Sequence, residues 1–534
     1  MKLRIGTRGS ELALWQSHRI QFLLKNILNI ESDLLIIKTQ GDQIQNVPLS
    51  QLDGKGFFTK ELEDALLENK IDLAVHSLKD LPTTLPSGLK IGAIPERVNS
   101  QDRLIIRKGF FDNTKPFFLK SASAVGTSSN RRIDQVKILQ PDLKIENLRG
   151  NVPTRVQKLR DGKYDAIILA SAGTDRLGLD LSEFDTIDLD QNLFVSAPGQ
   201  GALAIEIRKN DPAVESIISQ LHSSSIEKGV GEERRFLQLT EGGCHASVGS
   251  HFFKHQNRFY LTTFWNTGEN YYKLSVGNNS AEKLAEKSFL LHQKLQNKSN
   301  ETVWIVRDND KAGDLNYILL KSGRTVISES VIETKSSWTF ESVQKVTEKI
   351  KNSDWIFFTS SNAVHHFFEQ KIDLPTVLSV ACIGMATESA LKEYGIKTSF
   401  ISTEGTGESL ANDFLKQFSG SKGTILYPTT SSADNNIQAI IEKSAWKLER
   451  INIYETIEKE INTNLFDGKK IDKVVVYSSS AVKPIIQLLE KLNQNPKWIS
   501  IGPKTSETIL FSGKSVFSEA EFPETGDILE AIIN

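Results

Sequence analysis

Cys244 sits in the run Glu241-Gly242-Gly243-Cys244-His245, in a chain whose other cysteine is Cys382. Two glycines leave the neighbouring thiol accessible and let a bulky group approach the backbone. A thiol so placed suits covalent chemistry, whereas most free cysteines are small buried hydrophobes. A second candidate is Asp80, which ends Val75-His76-Ser77-Leu78-Lys79-Asp80. A carboxylate there could stabilise a cationic intermediate and shuttle protons, or simply pair with Lys79 on the surface. Arginines form the third pattern: Arg8 in Thr7-Arg8-Gly9-Ser10, Arg131 and Arg132 after Gly126-Thr127-Ser128-Ser129-Asn130, Arg149 and Arg155 around Gly150-Asn151-Val152-Pro153-Thr154, and Arg176 after Thr174-Asp175. Arginine rather than lysine points to flat, bidentate recognition of carboxylate or phosphate, so the expected ligand carries several such groups. Two arginines in a first helical turn oppose the macrodipole, a cost that an anion at that helix start would offset.

These groups need a scaffold that gathers strand ends. Up to about residue 210, short apolar runs at 34–37, 71–75, 104–106 and 166–169 read as buried strands and alternate with helical patterns. Such alternation is the mark of α/β architecture. A helix is expected over 10–27, with Ser10 as N-cap and Leu12, Trp15, Phe22, Leu23 and Ile27 on its apolar face. The arginines then fall at carboxyl ends of strands, where open α/β sheets bind ligands. Gly54-Lys55-Gly56-Phe57-Phe58 lacks Walker A and GxGxxG spacing and reads as a mobile lid. Past Cys244 the pattern becomes a strand meander at 248–253, 258–265 and 271–276, followed by a polar helix from 280 to about 295.

At 534 residues the chain is long enough for about three or four domains. A composition of 39% hydrophobic and 24% charged residues is that of an ordinary globular protein. The formal net charge of -2 excludes a global basic field for nucleic acid, so anion binding must come from local arginine clusters. Two cysteines exclude a disulfide framework and suit a reducing cytoplasm. Met1-Lys2-Leu3-Arg4-Ile5-Gly6 lacks the apolar stretch of a signal peptide, and no run of ~18 apolar residues foretells a membrane span. With no HExxH, no CxxC and no clustered ligands, no metal is expected. A cytoplasmic monomer is the expectation.

Lys298-Ser299-Asn300-Glu301 is a short polar junction, followed by a strand at 303–306 and a second α/β stretch with an internal echo. Asp354-Trp355-Ile356-Phe357-Phe358-Thr359-Ser360-Ser361-Asn362-Ala363-Val364 returns 118 residues later as Asp472-Lys473-Val474-Val475-Val476-Tyr477-Ser478-Ser479-Ser480-Ala481-Val482. Ile383-Gly384-Met385-Ala386-Thr387 and Ile501-Gly502-Pro503-Lys504-Thr505 keep the same offset of 118. Two matches at one spacing suggest duplicated lobes, against chance likeness between two strand-turn-helix units.

Taken together, residues 1–297 resemble hydroxymethylbilane synthase, also called porphobilinogen deaminase. The resemblance rests on the segments around Arg8, Gly54-Lys55-Gly56-Phe57-Phe58, His76-Ser77-Leu78-Lys79-Asp80, Gly126-Thr127-Ser128-Ser129, Leu148-Arg149-Gly150-Asn151-Val152, Gly199-Gln200-Gly201-Ala202 and Glu241-Gly242-Gly243-Cys244. It implies a periplasmic-binding-protein-like pair of lobes, 1–99 with 199–222 and 100–198, and a small cofactor-carrying α+β domain at 223–297. It implies a dipyrromethane cofactor held covalently by Cys244, with Asp80 as catalytic carboxylate. It assigns Lys79, Asp80, Ser128, Arg131, Arg132, Arg149 and Gly150 to the cofactor, and Arg8, Ser10, Arg149, Arg155 and Arg176 to the acetate and propionate groups of substrate and growing chain.

Residues 301–534 are similar to uroporphyrinogen-III synthase through Phe358-Thr359-Ser360-Ser361, Ile383-Gly384 with Thr387, Ile453-Tyr454 and Ile501-Gly502-Pro503-Lys504-Thr505. That resemblance implies two α/β lobes, one about 301–335 with 458–534 and the other about 336–457. Thr387, Ser478 and Thr505 become candidate substrate contacts, and Tyr454 a candidate weak acid. Val306-Arg307-Asp308 stands where many relatives have Thr-Arg-Pro. The expected activity is condensation of four porphobilinogen to hydroxymethylbilane, then closure to uroporphyrinogen III. The rivals are a small-anion receptor for the first half and a catalytically silent two-lobe module for the second; a receptor would need neither Cys244 nor Asp80.

Overall fold

The computed structural model describes residues 2–39, 59–241, 246–402, 406–433 and 435–534. Cys244 and the stretch 54–58 lie outside the described residues. The chain divides into two units, Met1–Asn297 and Lys298–Asn534.

In the first unit, β1 (Lys2–Thr7), β2 (Glu31–Ile36), β3 (Leu73–Ser77) and β4 (Leu89–Ala93) come first. The chain then departs for β5 (Asp102–Arg107), β6 (Ala124–Gly126), β7 (Lys144–Glu146), β8 (Ala166–Ala170) and β9 (Phe184–Asp188), and returns as β10 (Leu203–Arg208). One sheet has the order β2-β1-β3-β10-β4 and the other β7-β6-β8-β5-β9. Each buries its own core, around Leu3, Ile5, Val75 and Ile205 in the first and Leu104, Ile106, Val125 and Ile168 in the second. Separate cores and two crossing segments make two lobes. Where the segments cross, Arg97 bridges to Ala202. Gly201, at φ +84, runs so close that a Cβ would stand 2.6 Å from the Val98 carbonyl oxygen, a position only glycine tolerates.

The helix Glu11–Leu28 begins where expected, with Ser10 Oγ accepting from the Ala13 N–H. Its buried face is not the expected one. Gln16, Ser17, Ile20 and Leu24 are buried, while Phe22 and Ile27 are 54% and 62% exposed. The helix serves two surfaces at once. Ile20 and Leu24 join the sheet core, Gln16 donates to Ser77 Oγ at 2.8 Å, and the Trp15 ring lies 5.6 Å from the Arg176 guanidinium of the other lobe. Polar contacts near the strand ends thus override a simple apolar stripe.

The rest of this unit is a three-stranded antiparallel sheet, β11 (Ser247–His255), β12 (Arg258–Asn266) and β13 (Tyr271–Asn278), covered by the helices Ser224–Leu239 and Leu284–Gln296. The last helix starts at Leu284 rather than near 280, because Asn278 Oδ1 accepts from the Ser280 N–H and Ser280 Oγ from the Glu282 N–H, which holds a turn there. Buried Glu233 accepts from Arg97 at 2.9 and 3.0 Å and from the Gly199 N–H at 2.8 Å, fastening this sheet-and-helix layer to the crossing segments.

The second unit contains β14 (Thr302–Ile305), β15 (Thr325–Ser328), β16 (Ile332–Ser336), β17 (Trp355–Phe358), β18 (Ser379–Ile383), β19 (Phe400–Ser402), β20 (Gly423–Thr430), β21 (Trp446–Glu458), β22 (Lys473–Val476), β23 (Lys497–Ser500) and β24 (Val516–Glu519). They form two sheets, β15-β14-β22-β23-β24 and β16-β21-β20-β17-β18-β19, in which only the β16–β21 pairing is antiparallel. β16 and β21 belong to the six-stranded sheet over their whole length, so the passage between sheets lies before Ile332 and after Glu458. The echo is structural: Trp355 and Lys473 open equivalent strands, as do Ser379 and Lys497, each pair 118 residues apart. In each sheet the lateral direction of the chain reverses between two central strands, β14 and β22 in one and β20 and β17 in the other. Among the described residues no helix is long and apolar enough to cross a membrane.

Candidate active site

β3 ends in a single tight turn, Leu78–Asp80, anchored by buried Leu78. The turn leaves Asp80 exposed and Lys79 half-buried. Lys79 Nζ donates to Gln200 Oε1 at 3.2 Å, a neutral partner. Burial pushes the Lys79 ammonium down to about 8, with Asp80 resisting and Arg132 adding to the fall. Burial likewise lowers Arg155 to about 10, with Arg132 and Arg149 contributing and Asp80 opposing. Lys79 and Asp80 of one lobe therefore share one electrostatic neighbourhood with Arg131, Arg132, Arg149 and Arg155 of the other.

The arginines are not equivalent. Asn130–Leu139 is the helix whose first turn carries Arg131 and Arg132. The anion that answers them belongs to the chain. Asp102, fully buried at the start of β5, accepts from Arg131 Nη1 at 2.7 Å and from Arg132 Nε and Nη2 at 3.0 and 2.6 Å. Burial alone would raise the Asp102 carboxyl, yet the two guanidiniums hold it well below the usual carboxylate range. Arg131 also donates to the Val195 carbonyl, and Arg132 to the Ile168 carbonyl. The expectation that both exist to grip a ligand is corrected to this extent: much of their donor capacity is spent on Asp102. One carboxylate against two cations still leaves positive charge on this side.

Arg149 stands differently. Its Nε is buried without a hydrogen-bond partner among the described residues. We expect Arg131→Leu to cost about 3 kcal/mol of stability, since it breaks a buried ion pair. Arg149→Leu should cost about 0.5 kcal/mol or less, being away from any such pair. Urea unfolding of the two variants checks this; equal losses would erase the distinction.

Other candidates hold the frame. Ser128 Oγ donates to the Leu148 carbonyl at 2.7 Å and accepts from the Leu148 N–H at 3.1 Å, tying the loops after β6 and β7. Gly150 sits at φ +114, and its carbonyl accepts from Arg155 Nε at 2.7 Å. Asn151 caps the helix Val152–Arg160, with Pro153 in the first turn as expected. Arg176 donates to the Gly201 carbonyl at 2.8 Å, its Nε is buried without a hydrogen-bond partner among the described residues, and burial lowers it to about 10. Arg8 is half-buried just beyond β1, and Ser10 spends its hydroxyl on the cap.

Sequence reasoning passed over Asp102 and the role of Gln200. Gln200 is fully buried and donates to the Ser100 carbonyl and to Asp102 Oδ1, so it links Lys79 to the arginine pair. The available signal was its place between two glycines at φ +73 and +84. A dipyrromethane group, with its acetate and propionate arms, fits these residues. The buried Nε atoms of Arg149 and Arg176, without hydrogen-bond partners among the described residues, and the neutral partner of Lys79 suit an anionic guest.

In the second unit Thr387 and Thr505 are buried in the helices Gly384–Glu393 and Pro503–Phe511. Ser478 follows β22, half-buried, and accepts from the Ser480 N–H at 3.3 Å. Tyr454 packs in a hydrophobic cluster, its ring stacked on His366 at 5.0 Å and its hydroxyl 3.2 Å from Ser360 Oγ. Burial raises its phenol, which makes it a weaker proton donor than a free tyrosine.

Comparison with known proteins follows the two units. A family model described as porphobilinogen deaminase, dipyromethane cofactor binding domain, matches residues 3–216. A model described as uroporphyrinogen-III synthase HemD matches residues 314–530. Porphobilinogen deaminase of Syntrophobacter fumaroxidans is 45% identical over 252 residues, which is 47% of this chain and 79% of the relative. That of Maridesulfovibrio salexigens is 46% identical over 264 residues, 49% of this chain and 84% of the relative. A solved uroporphyrinogen-III synthetase from Helicobacter pylori covers 44% of this chain and 99% of its own, at 16% identity and a TM-score of 0.33. The chain therefore belongs to the porphobilinogen deaminase family and carries a uroporphyrinogen-III synthase domain behind it, which makes it a bifunctional enzyme of tetrapyrrole biosynthesis.

Proposed function

We propose that Asp80 is the catalytic carboxylate of the first activity, that Cys244 holds the dipyrromethane through a thioether, and that the surrounding cations bind carboxylates. The observation that carries this is one exposed carboxylate beside Lys79 and Arg155, both of which burial makes easier to discharge than usual. When bound, the dipyrromethane supplies a pyrrole with a free α-carbon as primer. Arg149, Arg155, Arg176 and Lys79 orient acetate and propionate arms, with Arg8 and Ser10 at the end of β1. Asp80 stabilises the cationic pyrrole that porphobilinogen becomes as ammonia leaves, and takes up the proton released once the new carbon–carbon bond has formed. Ser128 and Gly150 shape the loops that hold the arginines. We assign residues 1–99 with 199–222 and 100–198 to the two lobes and 223–297 to the cofactor-carrying domain.

The second unit then dehydrates and closes hydroxymethylbilane with inversion of the last ring, giving uroporphyrinogen III. Ser478, Thr387, Thr505 and Tyr454 are its candidate contacts. The scarcity of cysteine supports a reducing, cytoplasmic setting. A monomer suffices, because each unit brings its own site residues.

Isomer analysis tests the pairing of activities. Intact chain fed porphobilinogen should yield mostly the type III isomer, because unaided closure of hydroxymethylbilane gives type I. Tethering raises the local concentration of the second site around the first to roughly the mM range for a short linker. Chromatography after oxidation separates the isomers. Type I alone would mean that the second unit is a silent module.

A further inference from the structure

Arg307 lies two residues past the end of β14, at one of the two reversal points of the second unit. Its neighbour Val306 donates its N–H to the Val475 carbonyl at 3.0 Å, which sets the end of β14 beside the end of β22. In open α/β sheets such a point, at the carboxyl ends of the strands, is where ligands bind. The guanidinium lies 5.1 Å from the ring centre of Tyr477, the residue immediately after β22. Ser478 comes next and caps the following turn.

A structural arginine normally spends its charge on a carboxylate. Here two acidic groups at the end of β14 are already engaged. Asp308 Oδ1 lies 2.8 Å from Lys459 Nζ, and Glu329 Oε1 lies 3.1 Å from the same nitrogen. Among the described residues no carboxylate pairs with Arg307; its partner is Tyr477, through the ring face and the phenol oxygen, which accepts a hydrogen bond from the guanidinium. Burial pushes the Tyr477 phenol up to about 12, so at neutral pH it is uncharged and cannot neutralise the guanidinium. The ring holds the planar cation in place, and with one donor given to the phenol oxygen the remaining N–H groups of the fork are left for a guest.

We propose that Arg307, held in place by Tyr477, binds a carboxylate of the linear tetrapyrrole substrate at the β14–β22 edge. The inference rests on the synthase reading of the second unit. A guanidinium offers a carboxylate two parallel N–H donors, which a lysine cannot reproduce. Arg307 is thus a binding residue that fixes one arm of a flexible chain, while Ser478 and its neighbours supply hydroxyl and backbone donors alongside.

The test uses the intact chain and added hydroxymethylbilane, with initial rates of type III formation measured against substrate concentration. Arg307→Gln should raise KM about tenfold or more, equivalent to about 1.4 kcal/mol per tenfold, with kcat within about twofold. Arg307→Lys should fall between the two, keeping the charge without the fork. Thermal unfolding should be unchanged in both. A KM within about twofold of wild type for Arg307→Gln overturns the proposal. So does a loss confined to kcat or to thermal stability that Arg307→Lys fails to relieve, since that marks a structural arginine. If the wild-type chain itself produces no type III isomer, the synthase reading falls and takes this inference with it, a result distinct from any effect at position 307.

Discussion

A Cys244→Ser protein is expected to be lighter than the wild type by one dipyrromethane group and to release no hydroxymethylbilane. The argument starts from chemistry. A thioether needs a sulfur nucleophile, and serine at ordinary pH is a far weaker one. Cys382 cannot substitute, because it is fully buried in the β18 core and burial pushes its thiol up to about 12. The chain has no third cysteine. Intact mass of the two purified proteins decides the matter independently of activity. An unmodified wild type that still turns over would refute the covalent assignment. If the adduct persists in Cys244→Ser, the attachment point is elsewhere.

Asp80→Asn should lower the rate of chain extension on the order of 10²-fold or more, the usual scale for a general acid–base group. Asparagine keeps the shape and loses both the charge and the proton-accepting oxygen. Asp80 is exposed at the tip of its turn and, among the described residues, forms no ion pair on which packing depends, so the fold should survive. The adduct on Cys244 and the unfolding midpoint serve as controls. Removing the Asp80 charge, which with Asp102 opposes the burial of Lys79 and also opposes that of Arg155, makes their charged forms harder to hold and so weakens carboxylate binding in the same variant. A rate within a few-fold of wild type, with the adduct in place, would put the proton transfer on another group.

Both expectations draw on residues that were recognisable before any coordinates. So were the alternation of strands and helices, the meander after Cys244 and the doubled second unit, because hydrophobic periodicity and turn chemistry are local. The Ser10 cap and Pro153 at a helix start were legible for the same reason: each acts within a few residues of itself. Less legible was the face that a helix buries. On Glu11–Leu28 the apolar residues Phe22 and Ile27 were expected inside, yet Gln16 went in, because Ser77 was waiting on a strand 61 positions away. Periodicity alone cannot foresee a partner of that kind.

The division of labour among the arginines belongs to the same class. Sequence determined that cations would gather at strand ends and that a multiply charged anion was the natural guest. It also determined the α/β layout, since strand and helix periods are written in neighbouring residues. Only the tertiary structure decided that Arg131 and Arg132 spend much of their donor capacity on Asp102, 29 and 30 positions earlier, while Arg149 keeps a buried nitrogen without a hydrogen-bond partner among the described residues. It also decided that Gln200 reaches Lys79 across 121 positions, and that Lys459 occupies Asp308 and leaves Arg307 to Tyr477. The physical reason is that a charge becomes a binding group only when nothing in its own fold neutralises it. That condition is set by long-range contacts, which residue type and spacing do not encode.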